Sequence, residues 1–335
     1  EVAEKAGVAD PGWGAGSAFF DADGDGDLDL YVANYIDCTM DEVLAARRTT
    51  MWRDMVKVLV GPFGLRGGRD HFYRNHGDGT FSDATDEVGM TDTAESYGLG
   101  VLASDLDGDG DVDVFVANDS NPNFLYRNDG RGTFTEVGTW SGIGVNGNGV
   151  AQADMGVDAA DFDGDLRQDV LVTTFAQDTA TLYRNEGDLA FQDVAVPAGL
   201  KAITYRALKW GCAFFDYDHD ADVDVTIVNG HIYPQVDQSP ELAETYRQLP
   251  FLLRNDGGKL TDVSREAGPG FQVAASARGL AVGDYDDDGD LDLLVTAMDS
   301  PPLLLRNDTP RAGRWLKLRL LDKAGGPAIN ARATI

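Results

Sequence analysis

The sequence predicts an all-β fold made of repeated four-stranded antiparallel blades, and three observations carry that prediction. A nine-residue acidic stretch with Asp at positions one, three, five and nine occurs five times, at 21–29, 105–113, 161–169, 216–224 and 284–292. Each copy is followed by a short apolar run and then by a Tyr/Leu-Arg-Asn step, Tyr73-Arg74-Asn75 being the first. In most copies a glycine turn and one more extended run complete the unit, as in Gly77-Asp78-Gly79-Thr80-Phe81. Strand, acidic loop, strand, strand, glycine turn, strand is the pattern of a β-propeller blade. Five repeats are visible.

The acidic loops are the candidate sites. Their odd positions are Asp21, Asp23, Asp25, Asp27 and Asp29; Asp105, Asp107, Asp109, Asp111 and Asp113; Asp161, Asp163, Asp165, Arg167 and Asp169; Asp216, Asp218, Asp220, Asp222 and Asp224; and Asp284, Asp286, Asp288, Asp290 and Asp292. Alternate carboxylates on a tight loop bring several oxygens to one point, which suits a hard cation with six to eight oxygen ligands. Ca²⁺ at five sites, one per loop, is the expected cofactor. Position seven supplies only a backbone carbonyl to such a site, so its side chain is free to vary. Arg167 is admissible there if it points away.

An EF-hand is excluded, because it needs Glu at position twelve and a helix on each side. After these loops come runs such as Val114-Phe115-Val116-Ala117 and Val170-Leu171-Val172, which read as strands covered on both faces. Solvated Asp-Gly turns would explain one copy, not five in one register.

A glycine precedes each loop by five residues: Gly16, Gly100, Gly156, Gly211 and Gly279. The arginines of the Arg-Asn steps (Arg74, Arg127, Arg184, Arg254, Arg306) are expected between neighbouring blades, offsetting the acidic clusters; the plain alternative is five solvated arginines. Loop end to Asn takes 15 or 16 residues in units two, three and five, but 46 in unit one and 31 in unit four. The excess marks insertions at about 36–68 and 230–248, both joining a second strand to a third on the face opposite the acidic loops. In the first, Asp41–Val60 has Leu44, Met51, Trp52, Met55 and Leu59 at helical spacing and reads as a cap helix, with a ligand-binding lid as the alternative. The second carries Gly230-His231-Ile232-Tyr233-Pro234 and a short helical stretch near Glu241–Gln248.

Residues 1–309 are assigned to the propeller and 310–335 to the start of a small β module. There Trp315–Leu320 alternates like a half-exposed strand, Gly325-Gly326-Pro327 turns, and Ile329–Ile335 begins another strand. The opening Glu1–Val8 reads like the middle of a repeat, as expected of a processed chain or a fragment. Asn118-Asp119-Ser120 and Asn307-Asp308-Thr309 match the glycosylation pattern but read better as turns.

The formal charge is −30, from 27 Lys plus Arg against 57 Asp plus Glu. Such a surface argues against nucleic acid or an anionic membrane as partner, and no apolar run reaches the 18 residues of a spanning helix. Cys38 and Cys212 are too few for a disulfide framework and are expected unpaired. Repeated loops for calcium suit an extracellular or cell-surface setting.

The loops with their upstream glycines, together with Ala18-Phe19-Phe20, Val116-Ala117-Asn118-Asp119, Asp154–Asp158, Asn229-Gly230-His231 and Arg278–Ala281, resemble the FG-GAP/VCBS repeats of integrin-type propellers. The combination, closed by Trp315-Leu316, is similar to the cartilage acidic protein and ASPIC/UnbV group. The resemblance implies that the loop aspartates are calcium ligands, that the protein is a secreted or surface binding module, and that the ring is seven-bladed; with five blades visible, either upstream blades are missing or the ring closes with five. Three departures stand out. Leu166 and Ala221 replace a loop glycine, Val60 lies near the place of a second cysteine so that no bridge to Cys38 is expected, and Asn330 replaces a glycine.

Two function classes follow. The first is a calcium-stabilised binding, adhesion or surface-assembly module, with a protein or glycan ligand on the insertion face and self-assembly through terminal strands as a variant. The second is a carbohydrate-active lyase or dehydratase on a propeller scaffold, using His71, His231, Tyr233 and Arg278. Only four His are present and no nucleophile elbow, phosphate loop, HExxH or CxxC occurs, so a non-enzyme is the preferred reading.

Overall fold

A computed structural model describes residues 2–46, 48–91, 96–298, 300–310 and 316–321. Blade one comprises β1 (Gly14–Phe20) and β2 (Asp29–Asn34), then, beyond an inserted hairpin of β3 (Thr49–Trp52) and β4 (Val56–Leu59), β5 (His71–Asn75) and β6 (Phe81–Asp83). Blade two is β7 (Gly98–Ser104), β8 (Asp113–Asn118), β9 (Phe124–Asn128) and β10 (Phe134–Glu136); blade three is β11 (Asp154–Ala160), β12 (Asp169–Thr174), β13 (Thr181–Asn185) and β14 (Phe191–Asp193). Blade four is β15 (Lys209–Phe215), β16 (Asp224–Asn229), β17 (Phe251–Asn255) and β18 (Leu260–Asp262). Blade five has three strands among the described residues, β19 (Ala277–Gly283), β20 (Asp292–Ala297) and β21 (Leu303–Leu305). The protein is an all-β propeller of five blades.

Every acidic loop joins the first strand of a blade to the second, closed by a pair such as Phe20 with Asp29. The second strands β8, β12 and β16 are buried along their whole length, which explains their unbroken apolar runs. The core lies in the seams between blades. Phe20, Tyr31 and Phe72 of blade one meet Val114, Tyr126 and Phe134 of blade two, and Leu171 and Leu182 of blade three meet Val225, Ile227 and Leu253 of blade four.

The innermost strands pack in series, β1 on β7, β7 on β11, β11 on β15 and β15 on β19. This explains the upstream glycines. A side chain at Gly16 would strike the carbonyl of Leu99, at Gly100 that of Met155, at Gly156 that of Trp210, and at Gly211 the backbone of Leu280. The series stops at Gly279, where an added Cβ would meet only Thr296 of the same blade. Among the described residues β19 and β1 do not pack on each other in this way, and Phe19 of β1 is 59% exposed where its counterpart Phe214 is half-buried.

The insertions depart from their sequence reading. Asp41–Val60 is not one helix: a helix spans Met40–Ala46 and the hairpin of β3 and β4 follows. The β-branched Thr49, Thr50, Val56 and Val58 favour pleated backbone, and Arg53 and Asp54 adopt left-handed φ at the turn. The apolar spacing has a different cause: Val56 and Val58 alternate inward while Met51 and Leu59 face outward. In the second insertion the helical turns are 3-10, one at Pro234–Gln238 ahead of the expected stretch and one at Pro240–Leu242 overlapping only its first two residues before left-handed Ala243. Leu316–Leu320 shows no strand and is exposed; Trp315, Gly325–Pro327, Ile329–Ile335 and Asn330 lie outside the described residues.

Cys38 and Cys212 are free, Cys212 buried. Asn118 is fully buried, and the Asn307 side chain is bonded to Thr309 and Tyr217, so both serve the fold.

Candidate metal centres

The five loops share one hydrogen-bonded geometry. The carboxylate at position one accepts backbone N–H groups across the turn: Asp21 from Gly24 at 2.9 Å and Gly26 at 3.0 Å, Asp161 from Asp165 at 2.9 Å and Leu166 at 2.8 Å. Position five accepts from position seven, as Asp109 does from Asp111 at 3.0 Å and Asp220 from Asp222 at 2.9 Å. Positions four and six both need left-handed φ. Glycine fills both in loops one and two, but Leu166 (φ 70°), His219 (65°), Ala221 (75°) and Asp287 (57°) take the same conformation. The third and fourth loops therefore keep the turn despite losing the glycine, at a cost of about 1 kcal/mol per residue.

Three carboxylates per loop come within 4.8 Å of one another: Asp21, Asp23 and Asp25; Asp105, Asp107 and Asp113; Asp161, Asp163 and Asp169; Asp216, Asp218 and Asp224; Asp284, Asp286 and Asp288. Position nine is buried in all five loops, as are Asp21 and Asp290 in theirs. Burial above all, with neighbouring carboxylates adding, pushes Asp113 up to about 7, Asp169 to about 6 and Asp224 to about 7, and raises Asp29. Oxygen-only donors with crowded, partly buried negative charge fit a hard divalent cation, which would relieve the crowding.

At position seven, Asp27 and Asp111 turn their side chains to the hairpin glycines Gly77 and Gly130, away from the cluster. Asp222 and Asp290 hold the same place in their loops, and Asp290 Oδ1 lies 3.1 Å from His219 Nε2 of loop four. Arg167 does not turn away: its guanidinium pairs with Asp165 and donates to the Asn185 carbonyl at 2.7 Å.

The arginines of the Arg-Asn steps do not sit between blades. Arg74 pairs with Glu87 at 2.7 Å, Arg254 with Asp256 at 3.0 Å and Arg184 with Glu186; Arg127 reaches Asp107 at 3.0 Å and Arg306 reaches Asp286 at 3.8 Å, all within their own blades. The asparagine that follows takes the seam instead. Asn128, Asn185 and Asn255 are almost wholly buried, and a neutral amide satisfies two carbonyls there without the desolvation cost of a guanidinium. Its invariant place after Arg was visible in all five repeats, but spacing alone did not show which of the two faced the seam.

On the opposite face the two insertions form one cap. Trp52 of β3 packs on Phe175 (ring centroids 5.5 Å apart), His231 (5.8 Å) and Tyr233 (6.0 Å). Glu244 accepts from Trp52 Nε1 at 2.8 Å and Gln177 Nε2 at 2.6 Å, and lies 3.3 Å from His231 Nε2. Burial works to raise its pKa, but His231, Trp52 and Gln177 outweigh that and hold the carboxyl below its usual range. The Tyr233 N–H donates to His231 Nδ1 at 3.0 Å, placing the imidazole proton on Nε2, toward Glu244. Blades one, three and four are thereby joined. Glu244 and Gln177 had no signal in the sequence, being single polar residues in loops.

Of His71, His231, Tyr233 and Arg278 the last three adjoin while His71 pairs elsewhere: the His231 and Tyr233 rings lie 5.3 Å apart, and Arg278 donates to the His231 carbonyl at 3.4 Å. His71 lies 2.9 Å from Asp83, His231 is fully buried, and Arg278 stacks 4.2 Å over Trp210. Beneath the cap Lys209 donates to the carbonyls of Phe175 (3.1 Å), Asp178 (2.6 Å) and Thr204 (3.2 Å), three acceptors that only an ammonium satisfies. Burial pushes its pKa down and Asp178 and Asp154 pull it back.

Cartilage acidic protein 1 of Xenopus tropicalis is 24% identical to this chain over 348 residues, spanning 100% of the chain and 47% of that protein. The Mus musculus protein of the same name is 26% identical over 261 residues, 76% of the chain and 37% of its own length. The chain thus spans less than half the length of these relatives. A solved structure of an Agrocybe aegerita lectin, described as recognising non-reducing terminal N-acetylglucosamine, aligns with 87% of this chain and 66% of its own at a TM-score of 0.42 and 17% identity. No helix among the described residues is long and apolar enough to cross a membrane. The FG-GAP-like repeat family matches residues 57–116, 105–172 and 161–227, more than half of the chain, and the protein belongs to that family.

Proposed function

We propose that the protein is an extracellular, calcium-stabilised binding module whose acidic loops brace the scaffold and whose capped face engages a protein partner. The observation that carries this reading is the convergence of three carboxylates in each of five loops, from positions one, three and five in loops one and five and from positions one, three and nine in loops two to four. In loops one, two, four and five the carboxylates of positions one, three, five and nine and the carbonyl of position seven would hold Ca²⁺; in loop three Arg167 occupies Asp165, and Asp161, Asp163 and Asp169 would hold it. A bound ion supplies charge neutralisation, and the residues do the rest: position one ties the turn, position nine anchors it to the second strand. An extracellular setting is supported by relatives whose names place them in cartilage.

The partner face is supported by the first insertion, where Met40, Leu44, Met51, Met55, Leu59 and Phe63 are all exposed. Apolar exposure on this scale marks interaction surfaces.

The test is thermal melting with calcium and with chelator, alongside calorimetric titration. Each site filled at about 100 times its Kd adds about 2.7 kcal/mol, so chelation should lower the melting temperature sharply. Equal melting temperatures and no calcium uptake would overturn the reading.

A further inference from the structure

We infer that four asparagines of the Arg-Asn steps, Asn128, Asn185, Asn255 and Asn307, are positioning residues that couple each metal loop to the one before it. The inference rests on the calcium reading and adds to it a route between sites.

Position two of each loop is the spacer between the first and third carboxylates, and in loops one to four it is pinned on both sides. Its N–H donates to the position-nine Asp of its own loop: Ala22 to Asp29 at 3.1 Å, Leu106 to Asp113 at 3.1 Å, Phe162 to Asp169 at 2.9 Å and Tyr217 to Asp224 at 3.0 Å. Its carbonyl accepts from the asparagine of the following blade: Ala22 from Asn128 at 2.9 Å, Leu106 from Asn185 at 2.8 Å, Phe162 from Asn255 at 2.9 Å and Tyr217 from Asn307 at 3.0 Å.

The same asparagines hold their own loops. Their backbone N–H groups donate to Asp113 at 2.9 Å and to Asp169, Asp224 and Asp292 at 2.8 Å. The amides of Asn128, Asn185 and Asn255 also donate to the position-eight carbonyl, each at 3.1 Å. One residue therefore touches two loops: its side chain pins position two of the loop before it and, in Asn128, Asn185 and Asn255, position eight of its own, while its backbone N–H holds the last ligand. An ion that orders one loop orders the asparagine, and through it the neighbouring loop. The chain of clasps ends at loop five: Tyr285 donates to Asp292 at 2.9 Å, but its carbonyl takes no asparagine among the described residues, and the residue is 71% exposed.

The experiment is calorimetric calcium titration of the 335-residue chain and of Asn185→Ala and Asp163→Asn. The wild type should show four tight sites and a weaker fifth. Asn185→Ala should weaken loops two and three together, by about fivefold or more, so that the tight class falls from four to two. Asp163→Asn changes an exposed loop residue and keeps the fold if Asn185→Ala does not; it should cost more than one tight site. Loss of a single site in each variant, or unchanged titrations with melting lowered equally in calcium and chelator, would overturn the coupling alone. A wild type that takes up no calcium would overturn the coupling together with the metal reading.

Discussion

Substituting Gly156 by alanine tests the packing of blade on blade. Gly156 has ordinary strand φ, so alanine meets no backbone strain and, by restricting the unfolded chain, should stabilise by about 0.4–1 kcal/mol if it had room. It has none: the new Cβ would lie about 1 Å inside the 3.0 Å limit of real Cβ contacts, against the backbone carbonyl of Trp210. Blades three and four must part, and a gap of 0.5–1 Å forfeits about a quarter to a half of each contact well. The contacts at stake include Leu171, Leu182, Val225 and Ile227. Overpacking of this kind costs about 1–3 kcal/mol, so a net loss near 2 kcal/mol is expected. The assay is urea unfolding in saturating calcium, with two companions. Gly279→Ala changes the same repeat position without a neighbouring strand, meeting only the Thr296 hydroxyl, and Gly283→Ala has nothing within 4 Å. Gly283→Ala should be neutral or stabilising and Gly279→Ala intermediate. If Gly156→Ala unfolds within about 0.5 kcal/mol of Gly279→Ala, the glycine does not serve the seam.

Two further outcomes are expected. Leu166→Gly relieves a left-handed leucine and should raise stability by up to about 1 kcal/mol in chelator, read from denaturant midpoints; no gain would mean the turn is unstrained. Asp154 is wholly buried, which pushes its carboxyl up to about 8, with Asn123 pulling the other way. A raised carboxyl makes the folded state hold a proton that the unfolded state releases, so stability falls as pH rises from the unfolded value near 4 toward 8. Asp154→Asn removes that dependence, and the wild-type-minus-variant difference should slope by about 1.4 kcal/mol per pH unit between pH 5 and 7; parallel curves would place the titration elsewhere.

The acidic loops and the blade pattern were legible in the chain because both are local. Five Asp registers, the Asn-Gly-type turns and the buried second strands repeat within a few residues of one another, so short-range chemistry alone placed them. The upstream glycine and the asparagine were equally visible as symbols, yet their reasons were not, since each acts on the neighbouring blade: Gly156 on Trp210, Asn185 on Leu106. The cap failed for a related reason. Over Asp41–Val60 the apolar spacing fitted a helix, but the inward pull on Val56 and Val58 comes from the second insertion, which contributes Val236 and Leu242 far along the chain.

What the sequence settled by itself is the repeat: the strand order, the turn chemistry and the carboxylates offered by each loop, all fixed by backbone preferences and spacing. Only the tertiary structure decided which partner each polar group found. Arg127 stays in its own blade while Asn128 crosses the seam, and Glu244 gathers Trp52, Gln177 and His231 from three blades. Those choices depend on desolvation and on distances between segments far apart in the chain, and neither quantity is written in local order.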